Sequence, residues 1–327
     1  VVTFVVFVQR FFEPIRTLVM QYAQLQRAMA GGQRIFEVLD TKPQIVDAPD
    51  AVELADIKGA VSFEHVHHSY LPGLEVLHDF NLEVSPGETI ALVGPTGSGK
   101  TTVTSLVCRF YDAAQGRILI DGHDVRNIKL SSLARRVGMV LQDAFLFSGT
   151  VKENIRYGRL DATDEEIVEA AKAVGAHDFI VRLAKGYETV LQERGQNLSV
   201  GQRQLISFAR AVVADPRILI LDEATAKVDS STEAVIQKAL SRLLKGRTSF
   251  VIAHRLSTIR SADRLVVLEE GRVAEIGTHE ELLARDGLYS RLYRMSYEGR
   301  DGAAPSGNGD GRQGSPAPGL GEPLTAS

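Results

Sequence analysis

Cysteine, tryptophan and long apolar runs are what this sequence lacks most. Its 327 residues include one cysteine and no tryptophan. One thiol cannot close an intrachain disulfide, which excludes a small fold stapled by disulfides. No run of 18 consecutive apolar residues occurs, so no complete membrane-spanning helix is read by that rule. Neither sign of charge dominates. With 37 Lys and Arg against 41 Asp and Glu, the net charge is −4, which gives no electrostatic ground for nucleic acid as the main partner. No internal repeat is evident. What is present, 44% hydrophobic and 24% charged residues, is ordinary globular composition. The length corresponds to roughly two domains.

The first eight residues, Val1-Val2-Thr3-Phe4-Val5-Val6-Phe7-Val8, are nearly all apolar. The β-branched content fits a buried strand; the apolarity also fits part of a membrane-spanning helix. From residue 14 to about 40, Ile15, Leu18, Val19, Tyr22, Leu25 and Met29 recur at three- and four-residue steps, which predicts a long amphipathic helix. Pro14 is expected to kink any helix running on from the opening. Gly31-Gly32 weakens the pattern, and Pro43 and Pro49 mark an extended linker.

Beyond Gly59 the pattern changes. Strands are expected at 61–63, 89–93, 118–120, 138–141, 218–221, 249–253 and 264–268. Helices are expected to begin near Lys100, Asp164, Gln202, Thr232 and Glu280. Apolar strands separated by helices predict an α/β fold with a parallel sheet covered on both faces. Residues 145–214 read as mostly helical, an inserted subdomain. Residues 299–327 hold eight glycines and four prolines. That composition predicts a disordered tail, because it cannot bury enough apolar surface to offset chain entropy.

The strongest local signal is Gly94-Pro95-Thr96-Gly97-Ser98-Gly99-Lys100-Thr101, followed by Thr102. It matches G-x-x-x-x-G-K-[ST] between an expected strand and an expected helix. Glycines let successive backbone N–H groups point at phosphate oxygens, and the helix N-terminus adds a favourable dipole. Lys100 supplies a point charge to the β/γ-phosphates, and Thr101 offers a hydroxyl to Mg²⁺. A second element fits the first. Ile218-Leu219-Ile220-Leu221 is an apolar strand ending in Asp222-Glu223. Such a strand delivers Asp222 to the sheet edge where α/β folds bind ligands. Asp222 suits Mg²⁺, and Glu223, one residue further out, suits an attacking water.

Leu198-Ser199-Val200-Gly201-Gln202, ahead of a helix, resembles the signature motif of ATP-binding cassette (ABC) proteins. The resemblance spans about residues 61 to 295 and is closest to the exporter type. It implies a P-loop NTPase with a RecA-like parallel core, an antiparallel β-subdomain and an inserted helical subdomain, behind a long N-terminal helix. It further implies Mg²⁺-dependent ATP hydrolysis by two cassettes that sandwich ATP head to tail. In the family, Tyr70 corresponds to the aromatic that stacks on adenine. Gln142 corresponds to the glutamine that senses Mg²⁺ and water, and His254 to the histidine on the γ-phosphate. Asp229 corresponds to the aspartate of the loop crossing the dimer interface. Ser199, Gly201 and Gln202 face the partner's nucleotide. Catalysis is thereby assigned to Glu223, His254, Gln142 and Lys100, and Mg²⁺ to Thr101, Gln142 and Asp222.

Under the same resemblance, residues 1–45 look like the end of an exporter's last membrane helix and its linker. Residues 46–298 look like the ATP-binding domain. The expected partners are a second cassette and a transmembrane domain, at a plasma or inner membrane with the cassette on the cytoplasmic side. Nucleic acid is not expected as a partner. Two other readings stay open: a soluble ABC ATPase of DNA repair or translation, and a non-hydrolysing regulatory module. Against the second, Glu223 and His254 are both present. Two positions depart from the family pattern. Val200 stands where a glycine is usual, and Ala226-Lys227-Val228 where Ser-Ala-Leu is usual.

Weaker signals have plainer explanations. His65, His67 and His68 lie together without a further ligand, which suits a partly solvated strand. Cys108, on the helix after the glycine loop, reads as a small buried apolar residue. Asn197-Leu198-Ser199 matches a glycosylation sequon only by overlapping the signature. Thr163 followed by Asp164-Glu165-Glu166 reads as a helix cap and first turn.

Overall fold

The computed structural model describes residues 1–54, 56–222, 230–253 and 255–295. The tail at 299–327 lies outside them. Two sheets organise the chain beyond residue 60. The larger has six strands in the order β12-β11-β3-β10-β9-β6. These are β3 Thr89–Val93, β6 Val137–Val140, β9 Ile218–Asp222, β10 Thr248–Ile252, β11 Arg264–Glu269 and β12 Arg272–Gly277. All adjacent pairs are parallel except β11 with β12. The smaller sheet is antiparallel, β2-β1-β4-β5. It is built from β1 Val61–Leu71, β2 Leu74–Val84, β4 Gln115–Ile120 and β5 His123–Asp124.

Side-chain alternation on the parallel strands creates two cores. Ile90, Leu92, Ile218, Ile220, Phe250 and Ile252 face one way. They pack with Phe63 and Phe80 of the antiparallel sheet and with Val103 and Leu106 of helix α2 (Lys100–Val107). Leu219, Leu221 and Val251 face the other way. They meet α7 (Val200–Ala214), α8 (Ser230–Leu244) and the inserted helices α4 (Val151–Arg156) and α5 (Asp164–Ala173). A third cluster packs Leu265 and Val267 against α10 (His279–Ala284) and α11 (Leu288–Tyr293). The short helices α3 (Leu130–Arg136), α6 (His177–Ile180) and α9 (Leu256–Ser261) complete the described set.

The expected parallel sheet, antiparallel subdomain and helical insert are therefore all present. The N-terminal element is one helix, α1, Val2–Asp40, running through Pro14 and Gly31-Gly32; of the two readings of the apolar opening, the helical one holds, as the family resemblance implied. None of its residues is buried, and its apolar face is open. No described helix is long and apolar enough to cross a membrane. Strands β2 and β12 are additional, each returning beside its predecessor through a tight turn at Gly73 or Gly271. Strand β1 runs on to Leu71 past a bulge at His65, whose φ is +50°. A small antiparallel pair, β7 Gly149–Thr150 and β8 Val190–Leu191, closes the part of the helical insert that precedes α7.

Candidate functional site

Strand order decides where the chemistry meets. Strands β3, β10, β9 and β6 lie side by side and parallel. Their C-terminal ends therefore share one sheet edge: the glycine loop after β3, Asp222 ending β9, and Gln142 shortly after β6. A cleft of about 460 Å³ opens there, lined among others by Tyr70, Lys100, Thr101, Gln142 and Asp222. Residue pairing puts Asp222 opposite Ile252 on β10, and β10 is the only strand between β9 and β3.

The glycine loop is held by its own backbone. Ser98 N–H donates to the Pro95 carbonyl at 3.2 Å, and Gly99, at φ +100°, precedes α2. Only glycine fits Gly94, since an added Cβ would lie 2.3 Å from the Leu268 carbonyl oxygen of β11. Lys100 Nζ donates to the carbonyls of Gly94 at 2.9 Å and Pro95 at 2.8 Å. Burial pushes the Lys100 ammonium below the usual lysine range, and the nearby Asp222 carboxylate opposes that shift. Ser98 is 3% exposed, and its hydroxyl finds no hydrogen-bond partner among the described residues. A buried hydroxyl in that position suits an added acceptor.

Tyr70, near the end of β1, lines the same cleft and donates its hydroxyl to Thr102 Oγ1 at 3.0 Å. Two side chains lie beside its ring: the buried His68, and Tyr111, which had no sequence signal of its own. Thr96, Gly97 and Gly99 also line the cleft.

The signature segment stands apart. Ser199 caps α7 by accepting the Gln202 N–H at 3.2 Å, while Gln202 Oε1 accepts the Ser199 N–H at 3.0 Å. This reciprocal capping box uses the Gln202 side chain within its own helix. Ser199 Oγ, acting there as acceptor, still has a proton to donate. Ser199 and Gly201 do not line the cleft formed by the glycine loop. Val200 instead helps line a second cavity of about 330 Å³ with Gln142, Phe145, Arg194 and Arg203. Gln142 lines both cavities.

The structure thus brings together Tyr70, the glycine loop with Lys100 and Thr101, Gln142 and Asp222, and leaves Ser199 and Gly201 outside. Glu223, Asp229 and His254 lie outside the described residues. The weaker signals have structural partners. His65 and His67 pair with Asp79 and Glu75. Asn197 brackets the 190–197 turn through the Gln192 N–H and the Val190 carbonyl. Burial raises the Cys108 thiol pKa to about 12, which removes thiolate reactivity near neutral pH. Arg210 was not singled out by sequence. It donates to the Phe145 and Asn154 carbonyls and lies over the rings of Phe147 and Tyr157.

Comparison with known proteins gives a consistent result. Residues 77–226 match the ABC transporter family. An uncharacterized ABC transporter ATP-binding protein of Bacillus subtilis, YknV, is 53% identical over 90% of this chain and 49% of its own length. A fatty acid ABC transporter ATP-binding/permease protein of Mycobacterium bovis is 49% identical over 89% of this chain and 46% of its own. An ATP-dependent lipid A-core flippase of Syntrophus aciditrophicus is 48% identical over 88% and 48%. The structure of a bacterial Atm1-family ABC exporter with ATP bound superposes with a TM-score of 0.77 at 40% identity, covering 91% of this chain and 51% of that one. The chain spans about half the length of the curated relatives it matches.

Proposed function

We propose that this chain, whose residues 77–226 match the ABC transporter family, binds and hydrolyses Mg-ATP to power export through a membrane domain. The observation that carries this reading is the convergence of Lys100, Thr101, Gln142 and Asp222 on one cleft beside a glycine-lined helix start. The donor set fits the ligands. Thr101, Gln142 and Asp222 offer hard oxygen atoms of the kind Mg²⁺ takes, and the loop amides with Lys100 suit phosphate.

In this reading the chain works by positioning and charge. Lys100 and the N–H groups of residues 94–101 neutralise phosphate charge. Tyr70 stacks on the base. Glu223 orients or deprotonates the attacking water, and His254 holds the γ-phosphate. Thr101, Gln142 and Asp222 would hold Mg²⁺, which would supply positive charge against the charge developing on the phosphates. The signature tip at Ser199 and Gly201 lies outside the cleft of its own chain. It is therefore available to a second copy's nucleotide, and the family resemblance assigns Asp229 to that interface. ATP closes such a dimer because it touches both copies, and hydrolysis removes the bridge. Helix α1, with its uncovered apolar face, is the segment that continues into the membrane domain. The location proposed is a cell membrane with residues 46–298 on its cytoplasmic side. Among the relatives, a flippase and a permease point the same way.

The test is steady-state ATP turnover and Mg-ATP binding by wild type and Glu223→Gln. Retained binding with turnover near zero is expected. Normal turnover in Glu223→Gln removes the role given to that carboxylate. Absence of Mg-ATP binding to folded wild-type protein removes the function itself.

A further inference from the structure

We propose that Tyr111 and His68 are positioning residues that hold Tyr70 in the orientation needed to stack on a nucleotide base. The proposal rests on the reading of Tyr70 as the base platform.

A tyrosine at the end of a strand is a poor platform if it swings freely. Fixing such a side chain on binding costs about 0.5–1.5 kcal/mol. Tyr70 is 45% exposed, yet its ring is restrained at several points. His68 meets it with centroids 4.9 Å apart and planes at 88°. Tyr111 meets it at 5.0 Å and 85°. Both are the edge-to-face geometry that aromatic pairs prefer. His68 and Tyr111 also touch each other, at 5.6 Å, so the three rings close on themselves. At the far end of the Tyr70 ring, the hydroxyl bond to Thr102 fixes the remaining freedom.

The box is itself held by the fold. His68 is 4% exposed, anchored in β1 two residues before Tyr70. Tyr111 arrives from beyond α2, on a turn whose geometry Arg109 sets. Arg109 adopts φ +53° and is buried. Its guanidinium donates to the Ile128 carbonyl at 3.2 Å, the Val46 carbonyl at 3.2 Å and Asp112 at 3.0 Å. Helix α2 thus fixes the platform from both of its ends: Thr102 bonds the Tyr70 hydroxyl, and the chain beyond Val107 returns Tyr111 to its ring. The same helix begins with Lys100 and Thr101, so base platform and phosphate cradle share one rigid element.

The experiment compares binding of Mg-ATP with binding of Mg-tripolyphosphate, which has no base, by titration calorimetry on the full chain. Tyr111→Ala is expected to weaken ATP binding about 2- to 13-fold, the ordering cost above converted at RT of about 0.59 kcal/mol. Tripolyphosphate binding should be unchanged. Tyr111→Phe, which keeps the ring, should restore ATP affinity. Tyr70→Ala should show its own base-specific loss, and Tyr111→Ala added to it should cost nothing more. Loss in Tyr70→Ala with none in Tyr111→Ala overturns the proposal alone. Unchanged ATP affinity in Tyr70→Ala overturns the platform reading and the proposal together. Equal loss for both ligands in Tyr111→Ala, or full additivity in the double variant, also overturns it.

Discussion

Lys100 Nζ donates to the carbonyl oxygen of Gly94 at 2.9 Å, so the cation is aimed by the loop it follows. A second donation, to Pro95 at 2.8 Å, fixes the direction of the side chain. Of the three ammonium donors, two serve the loop and one is left for a ligand. Lys100→Ala removes the charge without disturbing the glycine turns. A charge-assisted hydrogen bond contributes about 1.5–3 kcal/mol, so Mg-ATP affinity should fall about 13- to 160-fold. Titration calorimetry reads the loss, and the unfolding midpoint should move little.

Ser199 carries two duties that separate by substitution. It caps α7 through the Gln202 N–H, and in the proposed dimer it faces phosphate. Ser199→Ala should lose about 1 kcal/mol of stability with the cap. ATP-dependent association should weaken as well. Ser199→Asp restores the cap, because aspartate is as good an N-cap residue, but places negative charge toward phosphate. Denaturant melts should then return to wild type while light scattering shows no ATP-dependent dimer. Association by Ser199→Asp at the wild-type level counts against the proposed contact.

Arg210 joins α7 to the segment that follows Gln142. It bonds the Phe145 and Asn154 carbonyls at 3.0 and 2.9 Å and Asn154 Oδ1 at 3.1 Å. It also sits 5.7 and 5.6 Å from the Phe147 and Tyr157 ring centroids. Desolvation pushes its pKa below the usual arginine value, which marks how far these contacts take it out of water. Arg210→Ala leaves partly buried carbonyls unpaired and strips the rings of their cation. A loss of roughly 2–3 kcal/mol is expected. Arg210→Lys should recover only part, since ammonium cannot span the same acceptors in a plane. Urea unfolding checks both.

Acid sensitivity follows from His68 and His279. Burial lowers the pKa of each; Arg260 adds repulsion at His279. In the unfolded chain both titrate near 6.5. The unfolded state therefore takes up these protons first as pH falls. Their contribution to stability is complete above about pH 6.5 and is lost below it, toward the depressed folded values. Unfolding free energy should decline as pH falls below about 6.5, and His68→Phe should flatten that slope. A slope unchanged by His68→Phe assigns the acid sensitivity elsewhere.

Several elements were legible from residue type alone. Strand β3 runs over the expected residues 89–93, and β9 covers the expected apolar run and extends to Asp222. Each is apolar on both faces and bounded by turn residues. Helix starts at Lys100 and Asp164 were equally plain. Strand β2 was not. Its burial alternates only in part, because Asp79 sits at φ +49° and shifts the register against β1. Periodicity alone left the start of α1 open between strand and helix, and the family resemblance decided for helix. Pro14 removes one backbone bond but did not end the helix. Tyr111 and Arg210 carried no local signal, since each acts through residues far off in sequence.

Local chemistry specified the phosphate loop and the carboxylate-ended strand, and the family resemblance pointed to the signature segment. The first two work through neighbouring residues, so spacing suffices to reveal them. Tertiary structure decided which of them meet. Parallel pairing of β3, β10, β9 and β6 brings Lys100, Gln142 and Asp222 to one edge across up to 122 residues of chain. The same packing directs α7 away from that edge and encloses Tyr70 between two rings. Those outcomes depend on strand order and on how two cores share one sheet, which no stretch of sequence encodes by itself.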